Sequence, residues 1–321
     1  MKFRLGFRAI WIDEIYPVMS HFLSTVRESG LKATLQTLWY LQRKKGLRER
    51  IQRRYGNSTD PEIREVLAFL AAHPTQELPL GMNPPYDWAY QYRPEDVPVQ
   101  QDAATGMLVA RVNGHQIFFP RLVNPAGVQQ SVSIARMEQD PRSPHCYCSG
   151  RQTIDPGDVA VFVGASDGIF CLSLIERLSK AYLFEPDPNW AEPLRMTMKP
   201  WGEKVEIVPL ALGSRDAEGV IRLDSFLARR PQPNFIQMDV EGAEMSVLEG
   251  AEDLLRQAGK LRLSICTYHQ RLDFPKFAER LAKLGYGIGH SPGFYVLGVR
   301  MPYLRRGVLY ASKTANLKTP S

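Results

Sequence analysis

The stretch "VAVFVGASDGIF", residues 159–170, decides the fold. An apolar run of strand length enters a turn that carries Gly164 and Gly168, and an apolar segment follows. Strand, glycine-containing turn and helix in this order are typical of the first unit of a parallel α/β sheet, where glycine lets the backbone approach a ligand closely. A dinucleotide turn requires glycine at positions 164, 166 and 169, and the chain has Gly, Ser and Ile there. The stretch therefore predicts a ligand turn that does not hold a dinucleotide.

From residue 155 onward, apolar runs of strand length alternate with segments of helical period. The strand runs are "VAVFVG", "AYLFEP", "VEIVPLAL", "NFIQMDV" and "LRLSICTY", and "GAEMSVLEGAEDLLRQAG" is the clearest helical segment. Alternating helices and doubly buried strands predict an α/β domain with a Rossmann-like, doubly wound, mostly parallel sheet. In such sheets ligands bind at the carboxyl ends of the strands.

The rest of the chain divides around this domain. The predicted parts are 1–105, a basic helical extension with an irregular linker; 106–150, a β-hairpin and lead-in segment; 151–311, the Rossmann-like domain; and 312–321, a flexible tail. The hairpin prediction rests on Asn113-Gly114, the strongest short hairpin signal.

The extension has two predicted helical segments and then a linker. Residues 17–54 place Leu31, Leu35, Leu38 and Leu41 at helical spacing. A second helix is predicted at "PEIREVLAFLAAH", with Asp60 as N-cap and Pro61 in the first turn. The stretch from Pro74 to Asp102 is predicted as a long irregular connection.

Composition places the chain among ordinary globular proteins. It has 321 residues, of which 44% are hydrophobic and 23% charged. Since no stretch approaches the ~20 uninterrupted apolar residues of a spanning helix, we expect a cytoplasmic protein, with peripheral membrane contact as an alternative. The four cysteines are scattered, with a lone C-x-C at Cys146 and Cys148, which supports neither a disulfide framework nor a zinc knuckle.

The basic charge is concentrated near the start of the chain. Residues 1–60 hold 12 lysines and arginines against 5 acidic residues, whereas the remainder is nearly balanced. "RKKGLRERIQRR" at 43–54 is predicted as the solvated face of a helix, and contact with an anionic surface is the alternative. No aromatic interleaving accompanies it, so we expect no specific nucleic-acid partner.

Acidic residues end the second and fourth predicted strands. Glu185 lies 21 residues after Gly164, the distance at which an acid can accept hydrogen bonds from both ribose hydroxyls. Asp239 and Glu241 are two residues apart and point to the same side while the chain is extended. Their mutual repulsion is tolerated where a cation, a substrate hydroxyl or an ammonium group lies between them. In the alternative interpretation, Glu241 and Glu244 only stabilise the N-terminus of the next helix.

The fifth predicted strand ends in "CTYHQ", which brings Tyr268 and His269 to the same edge of the sheet. A histidine there could act as general base towards a substrate hydroxyl, because its ordinary pKa is near neutrality.

Several of these stretches together resemble the FkbM-type family of S-adenosylmethionine-dependent methyltransferases. They are "VGASDG", "FEPDP", "PLALGS", "VIRLDSFL", "IQMDVEGAEMSVLEGA" and "TYHQ", and the resemblance covers roughly residues 140–311. "MEQDPRSPH" at 137–145 and "VLYA" at 308–311 are also similar to segments of some members, whereas residues 1–105 match nothing in the family.

The resemblance implies a class I methyltransferase domain that transfers methyl to an oxygen of a small-molecule, glycan or lipid-linked sugar acceptor. By position it assigns the methionine end of the cofactor to Gly164, Ala165 and Gly168, the ribose to Glu185, and the adenine region to Leu210, Ala211 and Leu212. It assigns the acceptor side to Asp239, Glu241 and His269, where we expect Asp239 or His269 to take the proton and Glu241 to position the acceptor. We assign no metal ligands, because two carboxylates without a clear third ligand are weak grounds for a divalent metal, which stays an open alternative.

Two residues depart from the family pattern. Phe162 stands where the family has an aspartate that orients the methionine amino group, and Asp167 could supply a replacement carboxylate. Losing such a charge-assisted hydrogen bond costs about 1.5–3 kcal/mol. Gln237 stands where members often have lysine. The sequence therefore leaves two further hypotheses beside a working enzyme: a degenerate domain used as a binding or scaffold module, and a nucleic-acid methyltransferase.

Overall fold

A seven-stranded sheet forms the centre of the computed structural model, which describes residues 46–74, 83–150, 152–297 and 301–313. Its strands are β4 (Asp158–Val163), β5 (Leu178–Phe184), β6 (Val205–Val208), β9 (Phe235–Met238), β10 (Leu261–Cys266), β11 (Gly287–His290) and β14 (Val308–Lys313). Their order is β11-β14-β10-β9-β4-β5-β6. The pairs from β6 through to β10 are all parallel, and β14 runs antiparallel between β10 and β11. This confirms the doubly wound, mostly parallel sheet.

The sheet is covered on both faces because its strands carry apolar side chains in both directions. Along β4, Val161 and Val163 belong to one buried hydrophobic cluster, whereas Ala160 and Phe162 belong to another on the opposite face. The helices that flank the sheet are α4 (Ile169–Leu174), α5 (Pro188–Met198), α6 (Leu223–Leu227), α7 (Glu244–Gly250), α8 (Glu252–Gln257) and α9 (Asp273–Lys283).

Two predicted elements are each divided in the structure. The run 205–212 becomes β6 and a separate short strand β7 (Ala211–Leu212), because Pro209 interrupts the run and β7 pairs instead with β8 (Val220–Ile221). The helical segment 242–259 becomes α7 and α8, since Ala251 leaves helical geometry with φ −112° and ψ 18°.

The predicted hairpin is present as part of a small three-stranded sheet. Strands β2 (Leu108–Val112) and β3 (His115–Phe118) pair antiparallel, and Asn113 and Gly114 between them both have positive φ, as a tight hairpin turn requires. The third strand, β1 (Val99–Gln101), lies in the stretch predicted as wholly irregular. The prediction of an irregular connection was wrong for these residues. The polar residues Gln100 and Gln101 show none of the apolar alternation by which a strand is recognised in a sequence.

Among the described residues, three α-helices precede the main sheet. They are α1 (Leu47–Tyr55), α2 (Pro61–Ala72) and α3 (Pro125–Glu138). Asp60 caps α2 as predicted, since its side chain accepts hydrogen bonds from the N–H groups of Glu62 and Ile63. Helices α1 and α2 pack with the loop that carries β12 (Tyr295–Val296) and β13 (Leu304–Arg305) in one apolar cluster.

Several predictions for the chain ends lie outside the described residues. They include the helical spacing over 17–45 with its four leucines, and residues 314–321 of the predicted tail. The tail prediction was wrong for residues 312 and 313, which end strand β14 because they pair with β10 and β11. Within the described part of the chain, no helix is long and apolar enough to cross a membrane. The anionic contact of residues 43–54 stays a prediction.

A buried ion pair joins the amino-terminal ends of β10 and β4, at the end of the strands away from the ligand turn. The guanidinium of Arg262, 9% exposed, pairs with Asp158, which is 5% exposed, and also donates to the carbonyl of Thr153. Nearby, Lys260 and Asp155 form a pair at 2.8 Å whose side chains are 50% and 46% exposed. A buried charge that loses its partner is destabilising, whereas an exposed charge remains solvated by water. The buried pair should therefore matter much more for the stability of the protein than the exposed pair.

We expect Arg262→Leu to lower the free energy of unfolding by about 3–5 kcal/mol, because Asp158 would stay buried without a counter-charge. Lys260→Met is the matched control and should cost less than about 1 kcal/mol. Guanidinium unfolding followed by circular dichroism measures both. Similar small losses for the two variants would contradict this account of the pair.

Candidate active site

A cavity of about 970 Å³ opens at the carboxyl ends of β4, β5, β6 and β9. Its walls are the turns that follow these strands and one face of α3, which brings Ser131 and Glu138 to the rim. The predicted site residues that line it are Gly164, Ala165, Asp167, Glu185, Leu210, Ala211, Leu212, Asp239 and Glu241. Gly168 and His269 are not among the lining residues.

Gly164 sets the shape of the turn after β4. Its φ is +80°, and a Cβ built there would lie 2.0 Å from the carbonyl oxygen of Asp239. A residue with a side chain would therefore both strain the backbone and collide with the end of β9. Gly168 also has positive φ, but a Cβ there would meet Met198 of α5, so this glycine serves packing on the far side of the turn.

Glu185 holds the same turn from the next strand. Its carboxylate accepts hydrogen bonds from the N–H groups of Ser166 at 2.8 Å and Asp187 at 2.9 Å. Burial raises the pKa of Glu185, and these two backbone hydrogen bonds oppose that rise. Each carboxylate oxygen retains further acceptor capacity, so Glu185 can still receive hydroxyl groups from the cavity.

Phe162 forms part of the cavity floor where the family pattern has an acid. It is 1% exposed and its ring packs edge-on against Phe170 with centroids 5.8 Å apart. Asp167, in the turn above, lines the same cavity, and burial raises its pKa to about 6. Its carboxylate accepts hydrogen bonds from the N–H of Ile169 and, at 3.4 Å, from the hydroxyl of Ser131 on α3.

Asp239 is the centre of a hydrogen-bonded network at the other side of the cavity. Its Oδ2 accepts a hydrogen bond from Tyr147 Oη at 2.9 Å, and Tyr268 Oη lies 3.2 Å away. Burial alone would raise the pKa of Asp239, but His145 and the charge of His269 hold it well below the usual range. The Asp239 carboxylate is 22% exposed, so it is fixed by the network and still faces the cavity.

His269 lies behind this network rather than at the cavity wall. Its side chain is 1% exposed, with Nε2 at 3.3 Å from Asp239 Oδ1 and Nδ1 at 2.9 Å from Glu244 Oε1. Burial lowers the pKa of His269, but the carboxylates of Glu244, Asp239 and Glu241 raise it to about 9.

Glu241 is in a strained turn next to Asp239. Its φ is +54°, unusual for a residue with a side chain, and its carboxylate is 35% exposed. Burial and the nearby Asp239 raise the pKa of Glu241 to about 7. Glu244 is fully buried and accepts hydrogen bonds from the N–H groups of Val240 and Gly242, so it also stabilises the start of α7.

The cavity is strongly acidic. The described residues that line it include no lysine or arginine, and His145 is the one basic residue among them. The carboxylates along the wall belong to Glu138, Asp167, Glu185, Asp187, Glu218, Asp239 and Glu241. Such a site favours cationic or neutral ligands over anionic ones.

Three residues of the cavity wall were not predicted as site residues: Glu138, His145 and Tyr147. They come from the lead-in segment before β4, more than 90 residues from Asp239, which Tyr147 contacts. Glu138 and His145 lie in the stretch "MEQDPRSPH", whose likeness to some family members was the one signal that pointed to them.

One segment of the chain matches the model of a known family. The family model described as the methyltransferase FkbM domain matches residues 214–288, a segment that includes "DVEGAE" and His269. The resemblance to this family is thereby confirmed for that segment, and the observed strand order agrees with the class I methyltransferase type of sheet. No curated protein matches the sequence.

Solved structures of similar fold include three methyltransferase-related proteins. The methyltransferase FkbM from Methylobacillus flagellatus KT aligns over 60% of this chain and 56% of its own, at 20% identity and a TM-score of 0.44. The Streptococcus mutans protein SMU.1697c, solved with SAH, aligns over 50% and 92%, at 14% identity and a TM-score of 0.36. An rRNA methylase from Streptococcus thermophilus aligns over 51% and 90%, at 16% identity and a TM-score of 0.35. This chain thus spans little more than half of the Methylobacillus chain.

We expect Gly164→Ala to destabilise the protein by more than the ~1–2 kcal/mol that positive φ alone costs an alanine, because its Cβ would displace the Asp239 carbonyl. Gly157→Ala is the matched control, since Gly157 has φ +88° but nothing within 4 Å of its Cβ position. Thermal unfolding of both variants measures the difference. Equal losses would mean that the close approach is unimportant.

Proposed function

We propose that the chain transfers a methyl group from S-adenosylmethionine to a hydroxyl oxygen of a small molecule, a glycan or a lipid-linked sugar. One observation carries the proposal: a single acidic cavity has Gly164 and Glu185 on one side and Asp239 on the other. In this proposal the first two hold the nucleoside and the third holds the acceptor.

The charge of the cavity supports this cofactor. S-adenosylmethionine has a positive sulfonium, a positive ammonium group and one carboxylate, so it is a net cation, and a wall of carboxylates without lysine or arginine among the described residues favours its two positive groups. The same wall repels phosphate groups, which favours an uncharged hydroxyl acceptor over a nucleic acid.

The lining residues fit the cofactor part by part. We assign the ribose hydroxyls to Glu185 and the methionine end to Gly164 and Ala165. Because Phe162 replaces the aspartate of the family pattern, we assign the ammonium group to Asp167. Leu210, Ala211 and Leu212, which line the cavity where β6 gives way to β7, form an apolar surface for the adenine ring. When bound, the cofactor supplies an electrophilic methyl group on sulfur.

The protein's task is then to align the acceptor oxygen and receive its proton. We propose that Asp239 accepts the hydrogen bond of the acceptor hydroxyl, since its carboxylate is held by Tyr147 and faces the cavity. Glu241, on the same rim, positions the acceptor. His269 is a positioning residue in this proposal, because its ring is buried behind Asp239 and does not line the cavity.

The proposal is tested by binding of S-adenosylhomocysteine. We expect the purified chain to bind it with micromolar affinity in isothermal titration calorimetry, and Glu185→Gln to weaken binding by at least tenfold through loss of a charge-assisted hydrogen bond. Glu203→Gln is the control and should leave the affinity unchanged, since Glu203 is exposed in the short 3-10 helix before β6. Absence of binding at millimolar ligand would refute the enzyme proposal.

Phe162 separates a working enzyme from a degenerate one. We expect Phe162→Asp to lower the melting temperature, because a carboxylate would be buried against Phe170, and to give no gain in S-adenosylhomocysteine affinity. Phe162→Leu controls for lost ring packing alone. A tenfold gain in affinity for the aspartate variant would instead favour the degenerate-domain hypothesis.

A further inference from the structure

We propose that Asp239, Glu241 and His269 bind one divalent metal ion at the edge of the cavity. Binding of the ion is independent of the nucleoside, whereas its use in methyl transfer rests on the proposed function.

The spacing of the three side chains matches one coordination sphere. His269 Nε2 lies 3.3 Å from Asp239 Oδ1 and 3.5 Å from Glu241 Oε2, and all three candidate ligand atoms lie within 4.8 Å of one another. Adjacent ligands on an octahedral ion with bonds of about 2.1 Å are about 3.0 Å apart. Both distances from His269 Nε2 are therefore within about 0.5 Å of the spacing that one ion requires.

The buried imidazole gives a second, independent reason. The His269 side chain is 1% exposed, yet its Nε2 makes no hydrogen bond of good geometry to any described residue. Glu241 Oε2 is likewise buried without a hydrogen-bond partner among the described residues. Buried polar atoms are rarely left in this state, and Nε2 points between two carboxylates, where a cation would satisfy all three groups.

Glu244 completes the arrangement on the other side of the ring. Its Oε1 lies 2.9 Å from His269 Nδ1 and is fixed by the N–H groups of Val240 and Gly242. A histidine that binds a metal through one nitrogen commonly has a carboxylate at the other, which fixes its tautomer and orientation. Glu244 is thus the expected supporting carboxylate.

A neighbouring group of possible ligands is less suitable. His145, Asp239 and Cys266 also lie close together, but Tyr147 Oη is 2.9 Å from Asp239 Oδ2, 3.5 Å from His145 Nε2 and 3.6 Å from Cys266 Sγ. The tyrosine hydroxyl therefore occupies the space that an ion would need. The proposed site uses the other carboxylate oxygen of Asp239, Oδ1, which lies on the side of His269.

The position of the ion follows from the cavity wall. Asp239 and Glu241 line the cavity and His269 lies behind them, so the three protein ligands come from one side. An ion held by these residues would lie beside the cavity, where it would lower the pKa of an acceptor hydroxyl that binds to it. One imidazole with two carboxylates suits Mn²⁺ or Fe²⁺ as well as Mg²⁺, and Mn²⁺ is the most convenient probe.

The test is Mn²⁺ binding to the full chain after EDTA treatment, followed by electron paramagnetic resonance without nucleoside. We expect one Mn²⁺ per chain with micromolar affinity, and at least tenfold weaker binding for His269→Gln and for Glu241→Gln. Glu244→Gln removes no ligand and should weaken binding by about 10–100-fold. Glu249→Gln, a change in an exposed carboxylate of the same helix, is the control and should leave binding unchanged.

Two results would overturn the metal site. One is that the folded chain binds no Mn²⁺ at 1 mM, which is about a thousand times the expected Kd. The other is Mn²⁺ binding that Glu241→Gln does not weaken. In either case the cluster would be a closed network of an imidazolium and three carboxylates. S-adenosylhomocysteine titration in EDTA keeps the two proposals apart: nucleoside binding without Mn²⁺ binding refutes the metal site alone, and the converse refutes the proposed function alone.

Discussion

The close approach of Gly164 to the Asp239 carbonyl is the constraint on which the site depends. The turn after β4 and the end of β9 touch at this point, and the N–H of Asp239 continues the ladder by donating to Val163 at 3.0 Å. The two strand ends therefore cannot separate without breaking the sheet. As a result, the turn that faces one end of the cavity and the carboxylate that faces the other are held at a fixed distance.

Much of the sheet follows from the sequence because its signals are local. Buried parallel strands appear as continuous apolar runs, and β4, β5, β9 and β10 lie where these runs are. The insertion of β14 between β10 and β11 has no such signal, since strand order is set by packing over the whole domain. The separation of β6 from β7 was also missed, although Pro209 marks it.

The site was predictable where its residues end strands. Glu185 and Asp239 follow strands directly, so their position on one edge of the sheet follows from topology alone. Tyr147 and His145 reach Asp239 from a segment before the sheet, and no spacing in the sequence encodes that contact. His269 is buried next to Glu244 and beside the turn at Glu241. The positive φ of Glu241 could not be predicted from the sequence. The histidine was thus placed at the correct edge but at the wrong depth.

The position of β14 has a consequence for the order of synthesis. This strand is the last described element, residues 308–313, yet it lies inside the sheet and pairs with β10 on one side and β11 on the other. A chain that grows on the ribosome makes β4, β5, β6, β9 and β10 before β14, so the open side of β10 stays unpaired until β14 has been made. Until then β10 presents unpaired backbone groups at which another chain can pair, so association between incomplete chains competes with folding at this strand.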